Sequence, residues 1–179
     1  MMPPAAPSLP DILAPGLDVV FCGINPGMSA AVTGHHFMGR SNRFWRTIHL
    51  SGFTPDLIDP VDDRQILQHR CGLTTAVERP TARADELGRD EFILASATLF
   101  QKIEKLQPRC LAFLGKPAYQ ALTGKSKTSW GKQPETVGDA MVWLLPNPSG
   151  LNRGFSLDDL VEAYQELRYA LSDNKSTGL

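Results

Sequence analysis

Apolar positions along the chain fall into two arrangements. The first is a set of short unbroken runs: "LDVVFCGI" at 17–24, "CLAFLG" at 110–115, "AMVWLLP" at 140–146 and, less sharply, "CGLTTAV" at 71–77. Runs of this length that do not alternate with polar residues predict strands covered on both faces. The second arrangement has helical spacing. "SNRFWRTIHLSG" offers Ser41 as N-cap, Gly52 as a stop and Phe44, Trp45 and Ile48 as a buried stripe. "DEFILASATLFQKIEKLQP" predicts a helix from Asp90 to the break at Pro108. "KPAYQALTG" has Pro117 early and Gly124 late. "SLDDLVEAYQELRYAL" opens with Ser156 and Asp159 at capping-box spacing. Strands alternating with helices predict an α/β fold: a single domain with a small, about four-stranded parallel sheet flanked by helices. In such sheets, ligands bind beyond the carboxyl ends of the strands.

Length and composition sharpen this picture. The chain has 179 residues, enough for one domain with its own core. Residues 1–10, "MMPPAAPSLP", and 173–179, "DNKSTGL", read as flexible tails around a domain at 11–172. The N-terminal stretch lacks a basic region followed by an apolar core, so no secretory signal is expected, and no apolar run is long enough to span a bilayer. A soluble, intracellular protein is expected, cytoplasmic or nucleoid-associated, with no membrane partner. Nothing in the sequence asks for more than a monomer. Cys22, Cys71 and Cys110 are scattered without metal-ligand spacing and read as buried apolar residues. His35 and His36 are adjacent, with no Cys or acid beside them, and read as a loop near phosphate or base rather than a metal site. No cofactor or metal is expected.

Net charge is −1, a weak sign of nucleic-acid binding, but its distribution is uneven. No acid falls between Asp18 and Asp56, where Arg40, Arg43, Arg46 and three histidines lie. None falls between Glu104 and Glu135, a stretch holding Lys105, Arg109, Lys116, Lys125, Lys127 and Lys132. Between Asp139 and Asp158 only Arg153 is charged. If these segments share a face, a near-neutral protein has a positive side.

Two of the strand-like runs stop in the same way, at "GINPG" (23–27) and "LPNPSGLNR" (145–153). Each places an Asn, then a Pro, then a nearby Gly at the carboxyl end of a buried strand. Proline fixes the backbone, and glycine gives room for close approach or for positive φ. The carboxamide offers one acceptor and two donors but is no strong base. It can bind the edge of a base or orient a water. "GINPG" lacks the lysine of a phosphate-binding P-loop.

The motifs "GINPGMSAAVTGHHF", "NRFW", "CGLT", "ERPT", "LGKPAY", "WGKQ" and "LPNPSGLNR" resemble the mismatch-specific uracil/thymine DNA glycosylases of the uracil-DNA glycosylase superfamily, over about 11–171. The resemblance implies a glycosylase-like α/β fold and a monofunctional DNA N-glycosylase of base-excision repair. Such an enzyme flips a uracil, or another pyrimidine, out of duplex DNA with G:U or G:T mismatches and hydrolyses the glycosidic bond. Residue by residue, it implies that Asn25 positions the attacking water, that Phe37 stacks on the flipped base, and that Ile24 and Asn147 line the base pocket. Gly150, Leu151, Asn152 and Arg153 correspond to the loop that enters the duplex, with Leu151 as wedge and Gly150 and Asn152 reading the orphaned guanine largely through backbone groups. Lys132 and Lys116 correspond to phosphate contacts.

Three positions depart from familiar relatives: Ala30 and Asn152, where serine is known, and Thr75, where lysine is known. They bear on base preference. Asp85 and Asp90 stand where relatives can carry amides, and one of them could assist the water; the plainer reading is acids at a helix N-terminus. Trp45, Trp130 and Trp143 read as packing residues, and Met28 as pocket rim or core filler. Two rival functions fit the same sequence: a binding domain that senses mismatches or nucleotides without cutting, and a glycosylase acting mainly on single strands.

Overall fold

A computed structural model describes residues 9–177, with side chains described as far as 173. The proposed tail at 1–10 therefore lies outside the described residues up to position 8. The last helix continues to Thr177, into the stretch read as a C-terminal tail.

Five strands form one sheet: β1 (Val19–Gly23), β2 (Cys71–Thr75), β3 (Cys110–Leu114), β4 (Gly131–Val137) and β5 (Ala140–Leu145), in the order β2-β1-β3-β5-β4. The four predicted strands are the parallel ones. Their apolar runs are explained by burial on both faces. Val19 and Phe21 of β1 face one cluster, while Val20 and Cys22 face the other. Helices α2 (Phe44–Leu50) and α5 (Leu157–Thr177) cover the first face; α3 (Arg89–Leu106) and α4 (Pro117–Thr123) cover the second.

The fifth strand, β4, is an addition to the expected four. It pairs antiparallel with β5 at the sheet edge. Its sequence, "GKQPETV", alternates polar exposure with partial burial and carries Pro134, beside which the register shifts. A proline is tolerated at such an edge, and the polar composition hides the strand from an apolar-run search.

The helix caps come out unevenly. In α5, Ser156 and Asp159 make the reciprocal capping bonds, Asp159 N–H to Ser156 Oγ at 3.1 Å and Ser156 N–H to Asp159 Oδ2 at 2.9 Å. Pro117 opens α4 and Gly124 ends it in the left-handed conformation. Ser41 does not cap α2. That helix starts at Phe44, whose N–H is taken by Asn42 Oδ1 at 2.9 Å, one residue closer than the predicted cap.

The chain passes from β1 to β2 on one side and returns to β3 on the other. The sheet therefore has its topological switch point between the carboxyl ends of β1 and β3, the place where ligands bind in sheets of this kind.

Candidate active site

The first Asn-Pro turn leaves β1 and is held by the segment following β2. Ala76 N–H bonds Gly23 O at 2.8 Å, Val77 N–H bonds Ile24 O at 3.0 Å, and Thr81 N–H bonds Pro26 O at 3.2 Å. The Asn25 carboxamide is oriented by the same segment. Its Nδ2 donates to Arg79 O at 2.8 Å and to Thr81 Oγ1 at 2.8 Å. A backbone carbonyl only accepts, so the nitrogen must face this loop. The Thr81 hydroxyl gives its own proton to Arg83 O at 2.7 Å, which leaves an oxygen lone pair for Asn25. Both amide hydrogens are thus spent, and Oδ1 receives no hydrogen bond from the described residues. Gly27 does not have positive φ. It sits at φ −72° as the cap of α1 (Met28–Thr33), and nothing lies within 4 Å of where its Cβ would be.

The supporting loop is pinned from outside. Arg79 makes a bidentate pair with Glu91 at 2.6 and 2.9 Å and reaches Glu86 O at 3.2 Å. That guanidinium holds the Glu91 carboxyl below its ordinary range. Asp85 pairs with Arg83 at 2.8 Å on the open surface, while Asp90 lies in the first turn of α3. Of the two carboxylates considered for water activation, Asp85 is thus already paired.

Phe37 follows in the chain at φ +56°, a conformation rare for a bulky residue. Its ring stacks on Phe44 at 4.1 Å and meets Trp45 edge-on at 6.5 Å. A Cβ on Gly23 would lie 3.9 Å from that ring, so Phe37 is packed directly against the end of β1.

Gly115, just after β3, joins the two turns. It adopts φ +102°, and its absent Cβ would lie 3.4 Å from Ile24 Cδ1 and 3.5 Å from Asn147 Cβ. Ile24 and Asn147, 123 positions apart by their numbers, thus meet over one glycine.

The second turn uses its Asn in the opposite sense. Asn147 Oδ1 accepts from Ser149 N–H at 3.0 Å, so the NH2 group is the part left available. The remaining loop is heavily bonded: Leu151 N–H to Ser149 Oγ at 3.2 Å, Asn152 N–H to Ser149 O at 3.0 Å, and Asn152 Nδ2 to Asn147 O at 2.9 Å. At its tip the Leu151 side chain is 66% exposed. The backbone N–H of Asn152 donates to Ser149 O within the loop, and its C=O accepts from Arg43 Nη2.

Arg43 is the residue that sequence reasoning misplaced. Counted there towards a positive surface, its guanidinium turns inward and donates to Pro148 O, Ser149 O, Asn152 O and Phe155 O at 2.5–3.3 Å. Its own N–H also bonds Pro148 O at 3.0 Å. Ser41, the failed cap, packs under the same loop: a Cβ on Gly150 would lie 2.5 Å from Ser41 Cβ. Arg43→Ala is expected to lower unfolding free energy by about 2–3 kcal/mol in a denaturant titration, because several carbonyls lose one donor together. Arg43→Lys is expected to recover little, since an ammonium cannot span four carbonyls.

The family sequence model for "Uracil DNA glycosylase superfamily" matches residues 10–168, nearly the whole chain. The chain belongs to the uracil DNA glycosylase superfamily. The fold agrees: a solution NMR structure of a "putative Uracil DNA glycosylase" from Methanosarcina acetivorans superposes with a TM-score of 0.61 at 18% identity, covering 90% of this chain and 97% of that one.

Lys132 on β4 and Arg153 in the loop are exposed. Lys116, next to Gly115, donates to Thr128 O at 2.8 Å and lies 4.5 Å from the centre of the Trp130 ring. Trp130 itself is 40% exposed and meets Phe155 edge-on, whereas Trp45 and Trp143 are buried as expected. Met28 is exposed and is no core filler. Lys125 is paired with Glu135 and adds little to a positive face. All three cysteines are buried; burial pushes the Cys71 thiol up to about 12 and raises Cys22 and Cys110 as well. No group of three or more His, Cys, Asp or Glu able to hold a metal occurs among the described residues, nor any helix long and apolar enough to cross a membrane.

Proposed function

We propose that this chain is a monofunctional DNA glycosylase that removes uracil lying opposite guanine in duplex DNA. The observation carrying this reading is the polarity of Asn25. Its amide hydrogens are consumed by Arg79 O and Thr81 Oγ1, which leaves its carbonyl oxygen without a hydrogen bond from the described residues, at the carboxyl end of β1 beside the switch point. An acceptor held there can accept a hydrogen bond from a water's O–H and aim the water's oxygen lone pair at C1′ of a flipped nucleotide. Asn147 complements it. With its Oδ1 committed to the turn, its NH2 group is available to donate to a pyrimidine carbonyl. As the C1′–N1 bond breaks, the electron pair leaves with the base, and a fixed donor stabilises that anion.

Flipping is the other requirement, at a cost of a few kcal/mol that a mispaired base reduces. Phe37 offers a stacking face, worth on the order of 1–3 kcal/mol per base. Leu151, exposed on a loop braced by Arg43, is suited to fill the vacancy in the stack, which favours a duplex substrate over a single strand. Lys132 and Arg153 would meet phosphates. Water serves as nucleophile: the lysine adjoining Gly115 turns its ammonium to Thr128 O.

The test is a single-turnover panel of uracil, thymine and alkylated cytosine opposite guanine and adenine, with single-stranded uracil alongside. Fastest release from G·U duplex is expected. No release from any substrate would leave a binding domain; a preference for the single strand would remove the mismatch-reading role. In the same assay Thr81→Val is expected to slow release about tenfold, with Thr81→Ser near wild type, because valine leaves one Asn25 N–H without an acceptor and frees the amide to turn.

A further inference from the structure

Phe37 holds a left-handed backbone conformation that a bulky side chain adopts only where its surroundings impose it. The imposing group is identifiable. Asp63 lies in the 3-10 segment Pro60–His69, and its side chain is 3% exposed. Its Oδ2 accepts the backbone N–H of His36 at 2.9 Å, and its Oδ1 meets His35 Nδ1 at 3.2 Å. One carboxylate therefore grips both residues that precede Phe37. The other side of His36 is fixed too: Trp45 Nε1 donates to its carbonyl at 3.0 Å, and its ring Nε2 bonds Pro10 O at 2.8 Å. That last bond assigns the ring proton to Nε2, since a carbonyl only accepts, and burial depresses the His36 pKa. The His36 ring is thus tied to Pro10 O, leaving the partly exposed His35 as the ring facing the carboxylate.

A buried carboxylate is costly unless its oxygens are bonded. Asp63 spends both of its oxygens on the "GHHF" loop, and nothing in the hydrolytic step uses it. We infer that Asp63 is a positioning residue for base extrusion: by holding His35 and His36 it keeps the Phe37 ring on Phe44 at the end of β1, ready to stack on a flipped base. The inference rests on the reading of Phe37 as the stacking platform.

It is tested with a G·U duplex carrying a non-cleavable 2′-fluorinated deoxyuridine and a neighbouring 2-aminopurine, whose fluorescence rises as the base leaves the stack. Single-turnover release from ordinary G·U duplex is measured in parallel. Asp63→Ala is expected to lose most of the fluorescence rise and about tenfold in release rate. Affinity for abasic product duplex, which has no base to stack, should change by less than about twofold. Asp63→Asn, still able to accept from His36 N–H, should restore most of the signal. Asp63→Ala combined with Phe37→Ala should be no slower than Phe37→Ala alone. Should Asp63→Ala fail to fold, His35→Ala cuts the Oδ1 tie alone at a partly exposed side chain and is expected to cost about threefold. A normal signal in Asp63→Ala, or in His35→Ala where it stands in, beside an impaired Phe37→Ala would overturn the inference and leave the reading of Phe37 intact, and so would additive losses. An unimpaired Phe37→Ala would overturn both.

Discussion

Asn25→Ala is expected to slow uracil release from a G·U duplex by on the order of 10²–10³-fold under single-turnover conditions. The magnitude follows from what the amide does. It supplies no proton and forms no covalent bond; it fixes where a water stands. Alanine removes the one acceptor whose direction the protein has set through Arg79 O and Thr81 Oγ1. A water in the cleft would then sample many orientations, and the gain from positioning is lost. Binding of substrate duplex should hardly change, because the wedge loop and the cationic residues are untouched. Stability should fall modestly: Arg79 O is exposed and can be resolvated, and the buried Thr81 hydroxyl loses one incoming donor but keeps its own bond to Arg83 O. Asn25→Asp separates position from charge. The carboxylate has no hydrogens to give to Arg79 O, so it repels that carbonyl and is expected to rescue poorly at neutral pH.

Leu151→Ala should show the second-largest loss, about 10- to 100-fold in release from a matched A·U pair and less from G·U. A wedge stabilises the extruded state by filling the gap the base leaves. That help matters most where the base is well paired and least where the mismatch has already weakened the stack. Since Leu151 is 66% exposed, its truncation opens no cavity, and denaturant midpoints should match wild type. This contrasts with Arg43→Ala, which should lose stability and activity together. The pair of variants separates the tip of the loop from the brace beneath it.

How much of this was legible in the sequence depended on the range of each interaction. The four parallel strands show as unbroken apolar runs because both sheet faces are covered. The α5 cap shows because its partners are three residues apart. The two Asn-Pro turns also show, since proline and glycine mark them locally. The strand β4 does not, being polar, half-exposed and interrupted by Pro134. Nor do the groups that make the turns work. Thr81 reaches Asn25 across 56 positions, and Arg43 reaches its four carbonyls across 105 to 112. No local pattern encodes such contacts. An acid-free stretch invited an electrostatic role for Arg43, while the fold uses it as a clamp. Ser41 shows the same lesson at short range: a good capping residue is displaced by Asn42, and Ser41 instead lies close against Gly150.

If the two turns act on one everted nucleotide, a crystal structure of Asn25→Ala bound to a G·U duplex will show it. The expected result shows the uracil outside the helix with its ring over Phe37, a carbonyl oxygen within reach of Asn147 Nδ2, and Leu151 in the space left behind. A duplex docked on another face, or one that keeps its uracil stacked while Leu151 points into solvent, would contradict it.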